Sequence, residues 1–435
     1  KAISFSEFST IIANHFFVFE EKPHIGISFS GGCDSLALVI LMNDWVKKKC
    51  GTLTLIHFNH KLRKESILEE RFAKEIAKKL KVNFKLLKWD GEKPKNAIMQ
   101  NARDIRYKKI IDFCKKKKII TLMTGHHYDD SVETYLMRKK RKFTTLGLTG
   151  IPAINVRDEV QILRPFINLS KERLLKTCIK YKYNWMEDPS NQNNSFERVR
   201  IRSIIKNFSN NEKSKLHNDF KKQIIKNTII EKKIGDFFFK NIKFRDFGLF
   251  TIEKKKILCE SELHQIEILK RIFVTCSGGI YPPSSRSIKT ILEKLKSLTK
   301  FRTSIHSCIM QNETDEIHFF REYQKTKRNV EKKIIIKKQN KFMWDERFKI
   351  VSLLNDLTCY LFNENLWSKI KKDFKSLKEQ SGIKHEVLKT LPIFKVKSKY
   401  MIPFLTNHQE MLNVGISVIF QPKIPLTKKN FLNIN

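Results

Sequence analysis

Between residues 24 and 127 the chain alternates short apolar runs with longer stretches of mixed character. Ile25–Phe29, Leu53–Phe58, Phe84–Trp89 and Ile119–Thr124 have the length and apolar content of strands. Leu36–Lys48, Ser66–Lys79 and Ala97–Lys115 lie between them and read as helices. In the middle one Leu68, Phe72, Ile76 and, just past it, Leu80 recur at four-residue spacing, which predicts one apolar face on a charged helix. Strands alternating with helices of this length predict parallel βαβ units wound into an α/β, doubly wound parallel sheet. In such sheets the ligand lies at the carboxyl ends of the strands.

Beyond about residue 210 the pattern changes. Lys213–Lys240 is a long amphipathic stretch, Ser261–Phe273 and Ser285–Leu298 read as further helices, and Gly278–Ser285 is a loop between the last two. Residues 326–342 are rich in lysine and read as a connection. After them come short β-like runs, Phe348–Leu354, Ile393–Val396 and Ile416–Phe420, with one helix. The expected organisation is a catalytic α/β domain over 1–210, a mainly helical domain over 211–325 and a small α+β domain over 343–435.

Composition narrows the class. Hydrophobic residues make up 41% of the chain, the share of a globular protein rather than a disordered one. No apolar run reaches the ~20 residues of a membrane helix, and no basic segment precedes an apolar core as in an export signal. The cysteines, at 33, 50, 114, 178, 259, 276, 308 and 359, include no C-x-x-C pair. That argues against structural zinc and fits reduced thiols, so the expected location is the cytoplasm, away from membranes. Net charge is +41, from 86 Lys+Arg against 45 Asp+Glu, which points to a polyanionic partner, most simply nucleic acid. Part of the excess reflects the abundance of lysine everywhere in the chain.

The first chemical signal is Ser30-Gly-Gly-Cys-Asp-Ser35, set between an apolar strand and an apolar helix. Gly31 and Gly32 let the backbone approach an anion, the helix N-terminus adds its positive end, and Ser30 and Ser35 supply hydroxyls. Asp34 would repel a phosphate unless a cation lies between them, which argues for Mg²⁺ shared by Asp34 and phosphate. The stretch is not a Walker A loop, whose lysine is missing.

Three further clusters follow strands. His57-Phe-Asn-His-Lys-Leu-Arg63 breaks out of an apolar run as a polar group suited to a ligand. In Asn101-Ala-Arg-Asp-Ile-Arg-Tyr107, Arg103 and Arg106 share a helix face and suit phosphate. In Thr124-Gly-His-His-Tyr-Asp-Asp-Ser-Val-Glu-Thr134, Asp129 is positioned to cap a helix running through Met137. His126, Asp130 and Glu133 fall on one face if that helix includes its first turn, and they could bind Mg²⁺, steer an amine or accept its proton. Later, Arg198, Arg200 and Arg202 alternate on what would be a helix, spreading over about 200° of its surface, which suits a contact that tracks a phosphate backbone.

Together these segments resemble the tRNA(Ile)-lysidine synthetases, members of the PP-loop ATP-pyrophosphatase superfamily. That family carries S-G-G-x-D-S, H-x-[ND]-H-x-L-R, A-R-x-x-R-Y and G-H-H-x-D-D-x-x-E-T in this order, matched here by Ser30–Ser35, His57–Arg63, Ala102–Tyr107 and Gly125–Thr134. Arg164-Pro165, Asp188–Asn191 and Arg198–Arg202 match later signals, and Trp344-Asp-Glu-Arg-Phe and Leu391-Pro-Ile-Phe resemble the C-terminal domain. Two departures stand out: Lys139–Leu146 replaces a Gly-rich loop, and Val199 replaces an asparagine.

The resemblance implies a Rossmann-like PP-loop domain and a two-step ligase using ATP and Mg²⁺. ATP would adenylate O2 of the wobble cytidine of the CAU-anticodon isoleucine tRNA, and free L-lysine would displace AMP at C2 to give lysidine, shifting codon reading from AUG to AUA. It implies ATP binding by Ser30, Gly31, Gly32, Cys33, Asp34, Ser35, His57 and Arg106, with Mg²⁺ at Asp34 and Asp130. Asp34, Arg106, His126, Asp130 and Glu133 would serve catalysis, and Arg198, Arg200 and Arg202 the tRNA. A homodimer remains open. The rivals are a PP-loop tRNA thiolase, which would want closely spaced cysteines, and a non-catalytic RNA-binding protein, against which the intact acidic and histidine positions speak.

Overall fold

The computed structural model describes residues 1–15, 19–61, 66–89, 98–141, 143, 147–187, 195–338, 341–427 and 429–430. Leu62, Arg63, Ala97, Lys142, Thr144–Leu146 and Asp188–Asn191, singled out in the sequence, lie outside the described residues. The chain forms two compact units that divide between Ile229 and Ile230, with the strand Lys429–Asn430 belonging to the first.

The first unit begins with α1 (Phe5–His15) and β1 (His24–Phe29), then α2 (Cys33–Lys48), β2 (Thr52–Asn59), α3 (Ser66–Leu80), β3 (Asn83–Lys88), α4 (Ile98–Lys116) and β4 (Thr121–Met123). It continues with α5 (Tyr128–Lys140), β5 (Ile154–Arg157), β6 (Val160–Leu163), α6 (Lys171–Lys180), α7 (Glu197–Asn207) and the long α8 (Asn210–Asn241), which runs on into the second unit. β1 pairs in parallel with β2 and β4, β2 with β3, and β4 with β6. β5 and the strand Lys429–Asn430 add an antiparallel edge. Sheet order therefore reverses between β1 and β4, and the crevice at such a switch point is where α/β sheets bind ligands.

The strands are buried because helices cover both faces. Ile25, Ile27, Phe29, Leu53 and Leu55 pack with Leu36, Val39 and Ile40 of α2 in one core, while Ile56, Leu122 and Ile162 meet Ile110 and Ile111 of α4 in another. The apolar face of α3 is narrower than its four-residue spacing implies. Ala73, Ile76 and Ala77 are buried with Phe72 and Leu80 beside them, but Leu68 is 54% exposed. Each four-residue step rotates about 40° around a helix, so Leu68 ends a third of a turn away from Leu80.

The second unit is richer in strands than its pattern suggests. Helices Glu262–Ser277 and Ser285–Ser297 accompany a five-stranded antiparallel sheet built from 242–245, 249–253, 316–321, 308–312 and 301–305. The lysine-rich stretch after it forms the helix Tyr323–Asn329 and the strand Lys333–Lys337. A four-stranded and a three-stranded sheet follow, with the helix Glu364–Ser381. Their shared core contains Trp344, whose Nε1 donates to the Thr390 carbonyl at 2.9 Å. The fully buried Asp345 accepts from Arg321 at 2.8 and 3.0 Å and from Thr326 at 2.7 Å. The two C-terminal segments that carry the family resemblance thus meet each other in a core.

Candidate active site

The turn after β1 is shaped by its small residues. Gly31 takes φ +90°, a conformation costly for side chains with a Cβ, and its carbonyl accepts the Met186 N–H at 3.0 Å. The Ser35 hydroxyl accepts from the Ser30 N–H at 3.2 Å, donates to the Gly32 carbonyl at 3.0 Å and lies 3.1 Å from the Ser30 hydroxyl. Phe72 of α3 supports the turn and stacks on Phe29 with ring centroids 6.4 Å apart. The result is a pinned loop at the N-terminus of the 16-residue α2, where N–H groups face a crevice rather than a preceding turn of helix.

The second wall comes from β4 and α5. Gly125 has to be glycine because a Cβ there would lie 2.7 Å from both C and O of Asp34 and 2.9 Å from the Ser35 nitrogen. This contact of backbone on backbone seats His126 and His127 beside the phosphate loop. The two histidines then diverge. His126 is half-buried, with its Nδ1 2.8 Å from the Thr124 hydroxyl, and burial together with the Arg164 and Arg103 charges holds its pKa well below the usual value despite nearby Asp130. His127 is buried as the residue preceding α5, with Nε2 3.6 Å from Asp34 and 3.5 Å from Asp130, and Nδ1 3.4 Å from Asp129. These are charge contacts longer than hydrogen bonds. Burial alone would favour neutral imidazole, but the three carboxylates outweigh it and raise the His127 pKa to about 10.

Asp34 itself accepts the Cys33 thiol at 3.1 Å. Burial would raise its carboxyl pKa, yet His127, Cys33 and Lys171 hold it below the usual range. Asp129 does not cap α5, as its position suggested. It lies inside the first turn, and its carboxylate accepts the Lys171 N–H, the first of α6, at 2.7 Å. The α5 N-terminus is closed instead by Asp130, which accepts the His127 N–H at 3.2 Å.

Asp130 and Glu133 project together from α5, and both are buried. Facing them from α7 are Arg198 and Arg202, four residues apart on one face. Glu133 lies 2.9 Å from Arg198 Nε and 2.6 Å from Arg202 Nε, and Asp130 lies 3.9 and 3.5 Å from the same two residues. Arg200 falls on the exposed side of α7, where it donates to the Ser195 carbonyl at 2.8 Å.

Arg106 is half-buried on α4, its guanidinium 5.5 Å from the ring centroid of Tyr107. His57 lies near the end of β2, opposite Phe29, the residue before the loop. It is 2% exposed, with Nδ1 3.1 Å from the Phe29 carbonyl and no hydrogen-bond partner on Nε2. Burial lowers its pKa.

The structure thus gathers Asp34, Asp130 and Glu133 about two arginines and a histidine, with His126 alongside. His127 is a residue of this group that the sequence pattern alone does not single out. Its signal was the doubled histidine directly before the helix, where the second faces inward only once the helix start is known. Among the described residues no group of three His, Cys, Asp or Glu side chains forms a metal cage. Two carboxylates beside a phosphate loop are nevertheless a hard-oxygen set that suits Mg²⁺, which completes its shell with phosphate oxygens and water.

Residues 4–208 match the family model for the PP-loop domain. The parallel sheet, the glycine loop after β1 and its acidic partner agree with that match over the N-terminal part of the chain. The similarity to curated proteins extends beyond that domain and is consistent across several species. The chain is 28% identical over 433 residues to the tRNA(Ile)-lysidine synthase of Orientia tsutsugamushi, covering 94% of this chain and 96% of that protein. It is 29% identical over 409 residues to the tRNA(Ile)-lysidine synthase of Rickettsia bellii, covering 92% and 93%. Among solved structures, a U34-tRNA thiolase from Methanococcus maripaludis aligns with 50% of this chain and 76% of its own at 16% identity and a TM-score of 0.43. Among the described residues no helix is long and apolar enough to cross a membrane.

Proposed function

We propose that this protein ligates free L-lysine to C2 of the wobble cytidine in the CAU-anticodon isoleucine tRNA, through a tRNA adenylated at O2, with release of diphosphate and AMP. The product, lysidine, pairs with A instead of G and moves codon reading from AUG to AUA. The observation that carries this reading is the acidic pair Asp130 and Glu133, buried beside the phosphate loop and held by two guanidinium groups. A buried carboxylate pair that receives cations is what a lysine ammonium requires. Similarity to lysidine synthases over more than nine-tenths of the chain supports the same reading.

In this scheme the Gly31–Gly32 backbone, the α2 N-terminus and the Ser30 and Ser35 hydroxyls bind the ATP phosphates. Asp34 and Asp130 would hold Mg²⁺, which neutralises phosphate charge as diphosphate leaves. Arg106 faces the activated intermediate, and His57 borders the nucleotide. Glu133 and Asp130 orient the lysine. His126, kept neutral by its surroundings, is available to take the proton released when the amine attacks C2 and AMP departs. Exposed Arg200 contacts tRNA phosphate. The thiolase alternative gains no support at the loop, since Cys33 is buried, directs its thiol at Asp34 and has its pKa pushed up by burial.

The test is transfer of radiolabelled free lysine, with ATP, to the CAU-anticodon isoleucine tRNA, with elongator methionine tRNA as control. Label in the isoleucine tRNA alone, with AMP released, is the expected result. tRNA-dependent ATP–diphosphate exchange without label in tRNA would move the nucleophile elsewhere and overturn the lysine assignment.

A further inference from the structure

Tyr107 is 4% exposed, and its hydroxyl has no hydrogen-bond partner. Three guanidinium groups gather over its ring, with centroid distances of 4.9 Å for Arg157, 5.5 Å for Arg106 and 5.7 Å for Arg103. They come from separate elements: Arg103 and Arg106 from α4, and Arg157 from the end of β5. A fourth, Arg164, follows β6, is 4% exposed and donates from Nη1 to the Pro152 carbonyl at 2.6 Å, while its Nε has no partner. Among the described residues no carboxylate pairs with any of the four. This differs from α7, where Arg198 and Arg202 are answered by Asp130 and Glu133.

Four like charges brought together by three elements repel one another, and a fold keeps such a group where an anion offsets it. Burial would raise the Tyr107 pKa, but the Arg164, Arg103 and Arg106 charges, with the Arg164 guanidinium beside the hydroxyl, reverse that and lower it. Arg103 and Arg157 are exposed and form the mouth, whereas Tyr107 and Arg164 are buried and form the floor. The site therefore opens outward, and it adjoins His126, which feels both Arg103 and Arg164.

We infer that Arg103, Arg157 and Arg164, with the Tyr107 hydroxyl, form an anion subsite that binds a backbone phosphate of the RNA substrate next to the reacting nucleotide. The Ser30–Ser35 loop already provides a separate site for the proposed ATP phosphates, and the exposed Arg103 and Arg157 face solvent. The Tyr107 hydroxyl and Arg164 Nε supply buried donors to phosphate oxygens, and the outer arginines supply charge. The inference rests on the RNA substrate proposed above but not on lysine transfer.

The experiment is binding of a CAU-anticodon isoleucine tRNA transcript to the full chain, as wild type, Arg157→Ala, Arg103→Ala and the double variant, over a salt series. ATP affinity is measured in parallel. Arg157 and Arg103 are exposed, so the variants are expected to melt as the wild type does. Each loss of a phosphate contact should make the log–log salt slope shallower by roughly 0.7–0.9 and weaken tRNA binding several-fold, with ATP affinity unchanged. Weakened ATP binding with intact tRNA binding would assign the phosphate to the nucleotide and overturn the inference. Unchanged binding of both would show that no anion is held there. A chain that transfers no lysine but loses tRNA affinity in these variants would sink the lysidine reading and leave the subsite standing.

Discussion

The Nε of Arg202 lies 2.6 Å from Oε1 of Glu133, and its Nη2 lies 3.5 Å from Oδ1 of Asp130, so one guanidinium spans both carboxylates of α5. Arg198 repeats the contact one helical turn earlier, at 2.9 and 3.9 Å. Residues 69 positions apart in the chain are locked into one charge-balanced group. In the proposed reaction a lysine ammonium competes with these arginines for the same carboxylates.

Replacing Arg202 with Ala removes one of the two cations facing the buried Glu133. Because Arg202 is itself one-third exposed, the expected cost is about 1–2 kcal/mol, below the loss typical of a fully buried pair. A double-mutant cycle with Glu133→Gln, read by urea unfolding, should show a coupling of about 1 kcal/mol. Additive losses would mean the pair contributes nothing to the fold.

His127 sets a pH dependence. Its pKa rises from 6.5 to about 10 on folding, so the folded state binds the proton more tightly than the unfolded chain. The stabilisation is fully present below about pH 6.5, declines as pH rises and is lost above about pH 10. Unfolding followed from pH 6 to 10 should show stability falling with a slope of at most one proton, and His127→Gln should flatten it. An identical slope in the variant would remove His127 as the titrating group.

Gly125→Ala places a methyl group 2.7 Å from the Asp34 backbone, where neither partner is a flexible side chain. The variant is expected to lose about 1–3 kcal/mol of stability. It should also lose at least tenfold in ATP–diphosphate exchange, because the phosphate loop and His127 move apart. Wild-type exchange rates would show that this approach is not needed.

Arg200 and Arg202 should separate in tRNA binding, although they lie two residues apart. Arg200→Ala is expected to weaken tRNA binding and make its salt slope shallower by roughly 0.7–0.9, leaving ATP–diphosphate exchange intact. Arg202→Ala should affect lysine transfer more than tRNA affinity. Equal salt slopes for Arg200→Ala and wild type would remove Arg200 from the RNA contact.

What the sequence determined is local. The period of the apolar runs marks β1 to β4 and the helices between them. The Gly31–Gly32 turn follows from backbone freedom, and the order of the polar clusters at strand ends is linear information. Those features need only neighbouring residues, so they are legible without a structure. Which histidine faces the carboxylates was not, because it depends on α5 starting at Tyr128 and on Gly125 seating against Asp34. Nor was the fate of the three alternating arginines, since a helix pattern places Arg198 and Arg202 on one face but cannot say that α5 presents Asp130 and Glu133 there. Asp129 reads as a cap for its own helix and serves α6 instead. Leu68 fits an apolar spacing but lies past the edge of the surface that α3 covers. Only tertiary structure decided these points, because charge pairing and burial depend on distances between segments far apart in the chain, and those distances exist only once the sheet has formed.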